Sequence, residues 1–226
     1  MTYAQRHLDP AQAAAYGRKH SRTWLRRLSH WREMRCVRAA VTAALATLQP
    51  RVPHPVILDL PCGAGRLAPW LAGIASQYLP GDHSPHMLEL TKGELARHGL
   101  GERAPRYLQT DARQIPLEDA SVDLVVCLRL VHHFPDRADL AAILGELARI
   151  SKGPVVVSFL DADSWKQRRK RRRAASGGSP GNRAAITRAD LAEVARAHGL
   201  ALAKEWKLSS LFSGLSIALL TRRPAR

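Results

Sequence analysis

Apolar residues along this chain fall into two alternating patterns: short runs with the character of strands, and longer stripes at helical spacing. The runs predict strands at Val56–Leu58, Ser76–Pro80, Arg106–Thr110, from Asp123 to Cys127, Val155–Leu160, Ala201–Leu208 and Ser213–Thr221. An apolar run without polar alternation, such as Val155-Val156-Val157, suits a strand covered on both faces, as in a parallel sheet. Between the runs, Leu140, Ile143, Leu144, Leu147 and Ile150 lie on one face of a helix over Asp139–Ile150. Val37, Val41, Ala44, Leu45 and Leu48 do the same for a helix over Thr23–Leu48, which Pro50 and Pro53 end. Further helices are predicted at Arg66–Ile74, at Pro85–His98 behind Ser84 as N-cap, and at Arg188–His198 behind Thr187. Strand and helix in turn predict an α/β fold. At 226 residues and 46% hydrophobic content, one domain with a substantial core is expected. No internal repeat is visible.

The first strand opens into Asp59-Leu60-Pro61-Cys62-Gly63-Ala64-Gly65-Arg66-Leu67, an acid, a small-residue turn and then helix-forming sequence. Gly63 and Gly65 permit a close backbone approach to a ligand, and unpaired N–H groups at the start of the next helix can receive one. Two cofactor classes use such a loop. Gly63-x-Gly65-x-x-Ala68 fits a dinucleotide fingerprint, with Asp82 at about the ~20-residue offset of a ribose-binding acid. Asp59 separates the two, because an acid at the strand end repels a pyrophosphate and welcomes a cationic amine.

At these residues the chain resembles the class I S-adenosylmethionine-dependent methyltransferases of the type 11 kind. Their first motif, acid-x-Gly-x-Gly-x-Gly, appears here as Asp59 to Gly65, with Pro61 in place of the first glycine and therefore one N–H donor fewer. Gly81-Asp82-His83-Ser84-Pro85-His86-Met87-Leu88 resembles the second motif. There the resemblance implies that Asp82 holds the two ribose hydroxyls, that His83 is a cofactor contact, and that Met87 packs against the adenosine. Ser84 followed by Pro85 has a helix-capping explanation of its own. Asp111-Ala112, then Ile115-Pro116-Leu117, resembles the third, which implies that Asp111 accepts the adenine amino group and the Ala112 N–H meets a ring nitrogen. Asp59, Pro61, Gly63, Gly65, Asp82, His83, Met87, Asp111, Ala112 and Leu128 are thus the cofactor-binding residues the resemblance implies. It also implies a doubly wound, mostly parallel seven-stranded sheet, its last strand antiparallel, with helices on both faces. The specific motifs cover about Val56–Phe159, and element order alone continues to Thr221.

Leu128 to Asp136, which contains His132-His133-Phe134, resembles the family's segment after the fourth strand, facing the place of methyl transfer. The Asn-Pro-Pro-Tyr signature of many amino-methylating nucleic-acid enzymes is missing, so an oxygen or another nitrogen is the expected acceptor. A hydroxyl acceptor needs a base, and His132 or His133 would serve at neutral pH; the alternative for either is packing beside the cofactor. Tyr16 and Trp31, on an N-terminal helical cap spanning residues 1–50, are candidate lids or plain anchors of that helix.

Charge adds one question. There are 35 basic and 19 acidic residues, a net charge of +16, and seven cations fall within Lys166–Arg173. This run sits in a stretch, 161–186, whose Ser-Gly-Pro composition reads as a basic flexible insertion. It is either a solvated run or a patch for RNA or an anionic membrane. The expected acceptor is accordingly a small or lipid-linked, anionic metabolite; the alternatives are RNA, tRNA included, and a non-catalytic accessory protein that binds the cofactor only. Cys36, Cys62 and Cys127 lack metal-ligand spacing, so free thiols and no metal are expected. With no ~20-residue apolar run and no signal-like start, a cytoplasmic location is expected.

Overall fold

The computed structural model of the protein describes residues 24–48, 51–176, 184–209 and 213–223. Helix α1 (Trp24–Leu48) is followed by β1 (Val56–Asp59), α2 (Ala68–Ile74), β2 (Gln77–Asp82), α3 (Pro85–Arg97) and β3 (Leu108–Gln109). Then come β4 (Leu124–Cys127), α4 (Arg137–Ile150), β5 (Val155–Leu160), α5 (Trp165–Ala175), α6 (Arg188–Ala197), β6 (Leu200–Ser209) and β7 (Ser213–Arg222). Among the described residues seven strands form one sheet, in the order β3-β2-β1-β4-β5-β7-β6. β1 to β5 run parallel, and β7 lies antiparallel between β5 and β6. The strand order reverses between β1 and β4, where a doubly wound sheet leaves a crevice at its carboxyl edge.

The runs are apolar because both faces are covered. Leu58, Val125, Val157 and Ala218 face α4 and α6, packing on Ile143, Leu144, Leu147, Leu191 and Val194. Ile57, Leu124, Val126, Val156 and Ile217 face the opposite layer, α1 to α3, and meet Val37, Val41, Leu71 and Leu95. Burying such side chains is worth roughly 1.5–3 kcal/mol each, so the central strands anchor the sheet.

Two elements differ from the sequence expectation. β3 is confined to Leu108–Gln109, because only Gly81 and Asp82 of β2 offer it partners. The basic run, expected to be mobile, is helical over Trp165–Ala175. Ser164 caps it by accepting from the Gln167 N–H, and Gln167 is buried against Gly214. Among the described residues, no helix is long and apolar enough to cross a membrane.

Candidate cofactor and methyl-transfer site

Parallel pairing brings the ends of β1, β2 and β3 to one edge, in register Asp59 with Pro80 and Asp82 with Gln109. The loop after β1 extends the neighbouring ladders for one residue on each side. The Leu60 N–H donates to the Val126 carbonyl at 3.0 Å, and the Cys62 N–H to the Gly81 carbonyl at 2.8 Å. The loop then turns through Gly63 at φ +56° and Gly65 at φ +75°, in the left-handed region where a β-carbon is costly. The two glycines serve different needs. A Cβ on Gly65 would stand 2.9 Å from the Thr91 Cα, so α3 can pack only against a glycine. A Cβ on Gly63 would meet nothing within 4 Å, which leaves open space beside the loop for a ligand.

Asp82 organises that loop. Its Oδ2 accepts from the Gly63 N–H and its Oδ1 from the Ser84 N–H, both at 2.9 Å. Ser84 is the N-cap of α3 with Pro85 next, but its hydroxyl makes no capping bond. About two turns on, the Thr91 hydroxyl donates to the Gly63 carbonyl at 2.9 Å. Thr91 was not legible as a site residue, because its role depends on how α3 crosses the loop.

Asp59 is almost fully buried, at 1% exposure, and accepts from the Tyr78 hydroxyl at 2.9 Å. Burial pushes its carboxyl up to about 7, the Tyr78 hydrogen bond and Arg66 pull the other way, and neighbouring Asp82 adds to the rise. An acid held near half-ionised at neutral pH is incompletely compensated, and a ligand ammonium placed there would supply the missing charge. This property, with the open side of Gly63, fits the amino-acid end of S-adenosylmethionine and does not fit a pyrophosphate. Cys62 and Cys127 are buried nearby and burial raises both thiols, so neither is an activated nucleophile.

The structure groups the other sequence candidates less evenly. Asp111 lies just beyond β3 with its carboxylate taken up by Arg113, through Nη2 at 2.7 Å and Nε at 3.1 Å, which holds it below the usual range. Arg113 also reaches Asp139 at 2.8 Å and stacks over the Phe134 ring at 5.3 Å, so it links Asp111 to the segment after β4. Pro61, preceded by a cis peptide bond, is half-buried, Ala112 is buried behind Asp111, and Met87 is buried in the first turn of α3. His83 is exposed at the rim. Leu128 is buried in the same layer as Val126 and Val156. The three cysteines are free.

After β4 the chain turns through Arg129, a non-glycine residue at φ +61°, and makes a short 3-10 turn at Val131–His133. The rings of His132 and His133 stand 4.3 Å apart between centroids, tilted by 40°. His132 is buried, and its carbonyl accepts from the Ala184 N–H at 2.8 Å; His133 is half-exposed. Arg129 donates from Nε to Glu33 Oε1 at 2.7 Å and pairs its Nη2 with Glu33 Oε2, while Arg66 Nη2 meets the same Oε1 at 3.2 Å. Neither arginine nor Glu33 was singled out in sequence, where each sits among many arginines. Trp31 is 54% exposed with the Arg35 guanidinium over its ring at 4.8 Å, so it anchors nothing in the core; Tyr16 lies outside the described residues.

At the carboxyl end of β5 a cleft of about 140 Å³ is lined by Asp161, Ser164, Trp165, Lys207, Ser213 and Ser216. Lys207 Nζ reaches Asp161 Oδ2 at 3.2 Å across it. α5 starts on its rim, with Trp165 52% exposed and Arg169 stacked on that ring at 5.2 Å.

The family model described as a methyltransferase domain matches residues 58–156. Methyltransferase GfsG of Streptomyces halstedii is 32% identical over 95 residues, which are 42% of this chain and 33% of that protein. Malonyl-(acyl-carrier protein) O-methyltransferase of Serratia marcescens is 29% identical over 124 residues, 51% of this chain and 45% of that protein. The chain thus spans between a third and about a half of the length of the curated relatives it matches. Among solved structures, magnesium protoporphyrin IX methyltransferase from Synechocystis PCC 6803 with bound SAH superposes with a TM-score of 0.75. That match covers 90% of this chain and 89% of the other at 18% identity, a likeness of fold.

Proposed function

We propose, from the match of residues 58–156 to a methyltransferase domain, that the protein is a class I S-adenosylmethionine-dependent enzyme that transfers a methyl group to an oxygen or nitrogen of a small or lipid-linked, anionic acceptor. The observation that supports this most is Asp59, buried and held near half-ionised at the carboxyl edge beside an open glycine turn. When bound, S-adenosylmethionine supplies a methyl group already activated on a sulfonium, so the chain's own work is placement. In this reading Asp59 and the Gly63–Gly65 loop hold the amino-acid end. Asp82 turns from the loop N–H groups toward the ribose hydroxyls, and Asp111 with Ala112 meets the adenine. His132 or His133 takes the proton from a hydroxyl acceptor. The malonyl-(acyl-carrier protein) relative is named as an O-methyltransferase, which supports an oxygen acceptor.

A second reading, methylation of RNA, is favoured by one observation: α5 presents Lys166, Arg168, Arg169, Arg171, Arg172 and Arg173 to solvent. Full-length protein incubated with methyl-labelled S-adenosylmethionine and fractionated cell extract separates the two. Label in the organic-soluble or small-molecule fraction supports the first reading. Label in a nuclease-sensitive polymer supports the second, and no transfer into any fraction counts against both.

A further inference from the structure

One carboxylate ties three separate parts of the chain together beside the glycine loop. Glu33, on α1, is only 3% exposed. It receives Arg66, which directly follows Gly65, and Arg129, which directly follows Leu128 at the end of β4. His30, nearly one turn earlier on α1, lies 3.3 Å from Arg66 Nη1. Burial alone would favour a neutral Glu33, yet the two guanidiniums hold its carboxyl down at about 2, so it stays charged at any working pH.

Arg129 is informative in its own right. Its φ of +61° is a conformation glycine or asparagine adopts with little strain, whereas a long side chain there carries a backbone penalty. The Arg129 N–H donates to the Ser158 hydroxyl at 2.7 Å, and Ser158 is 1% exposed on β5. The backbone is thus fixed from the sheet and the guanidinium from α1, so the side chain is what keeps an arginine at this position. α1 is held on the domain as well by apolar packing through Val37, Val41 and Ala44 and by the Arg38 guanidinium over the Trp70 ring at 5.6 Å. Glu33 is where the helix meets the two loops of the candidate site.

We propose that Glu33 is a positioning residue that couples the seating of α1 to the geometry of the cofactor loop and the transfer-side segment. Arg66, beside the Gly63–Gly65 loop, and Arg129, at the start of the Arg129–His133 segment, are joined through the one Glu33 carboxylate. Cofactor binding and α1 docking therefore stabilise each other, and by linkage the effect is reciprocal. The proposal rests on the cofactor seat assigned above and is independent of the acceptor.

The test uses the full chain and S-adenosylhomocysteine, by calorimetry and amide hydrogen exchange at a temperature where every variant is folded. In the wild type the ligand raises protection of α1 amides between Glu33 and Leu45, and Glu33→Gln lowers affinity by about tenfold while removing that protection change. Arg129→Gly relieves the left-handed backbone, which offsets part of the lost ion pair, and it shows the same loss of coupling; adding it to Glu33→Gln produces little further effect. A purely structural role predicts lower melting temperatures with affinity and α1 protection unchanged, and that result overturns the proposal. If the wild type does not bind at all, the cofactor seat itself is wrong and the coupling falls with it. Should Glu33→Gln fail to fold, Arg129→Gly decides alone.

Discussion

Cofactor binding should release a proton from Asp59. The structure leaves this carboxyl at about 7 against an ordinary 3.8, with burial as the main cause, and the ligand ammonium requires the ionised form. Affinity should then fall about tenfold between pH 8 and pH 6, with about half a proton released per ligand near pH 7. Calorimetry with S-adenosylhomocysteine in buffers of different ionisation enthalpy reads both quantities, and Asp59→Asn should weaken binding and flatten the pH profile. The same group acts on stability with the opposite demand. Because its folded value is raised, its stabilising contribution is fully present below pH 3.8 and is lost as pH rises through 7. At three units the loss is at most about 4 kcal/mol. Asp59→Asn should therefore raise the melting temperature of the ligand-free protein, and more at pH 8 than at pH 5. Affinity that stays flat from pH 6 to pH 8 with no proton exchanged would refute the reasoning, because Asp59 would then be ionised already or stand outside the seat.

Other outcomes follow from the same geometry. Gly65→Ala, with its left-handed φ and a Cβ 2.9 Å from the Thr91 backbone, should cost roughly 1–3 kcal/mol in denaturant unfolding; Gly63→Ala, with open space, should cost less and act mainly on cofactor affinity. If a hydroxyl is the acceptor, alanine at His132 or His133 should lower turnover by about 10² to 10⁴ with cofactor affinity nearly intact, and loss of affinity in both variants would assign them to packing. Replacing the seven cations of Lys166–Arg173 by Gln should leave the fold intact, since glutamine is a good helix former. It should also abolish binding to anionic vesicles or to single-stranded RNA, whichever the wild type shows; RNA binding would weaken with salt by about 0.7 in log–log slope per phosphate contacted.

Much of this site was legible because its residues act through backbone position. The order of strands and the acid at the end of each of the first two bring Asp59 and Asp82 to one edge, and both follow from element order plus local motif. Gly63 and Gly65 were readable as a glycine turn, although only the packing of α3 distinguishes why each is a glycine. Residues whose roles depend on tertiary crossing were not readable. Tyr78 points from β2 to Asp59, Thr91 reaches back from α3, and Glu33 gathers arginines 33 and 96 residues away in sequence. The basic run misled for a different reason. Its Ser-Gly-Pro surroundings read as a flexible stretch, but Ser164-x-x-Gln167 is a capping signal, and Ser164 starts a helix there whose Gln167 packs on Gly214.

The central claim is that the acid-lined edge beside the glycine loop seats S-adenosylmethionine, with Asp82 on its ribose. Calorimetry on the wild type and on Asp82→Ala, with S-adenosylmethionine and with a nicotinamide dinucleotide, tests it most directly. The account predicts that the wild type binds S-adenosylmethionine and not the dinucleotide, and that Asp82→Ala loses roughly 2–4 kcal/mol of binding, as for two charge-assisted hydrogen bonds. Unchanged affinity in Asp82→Ala, or tighter binding of the dinucleotide by the wild type, would contradict it.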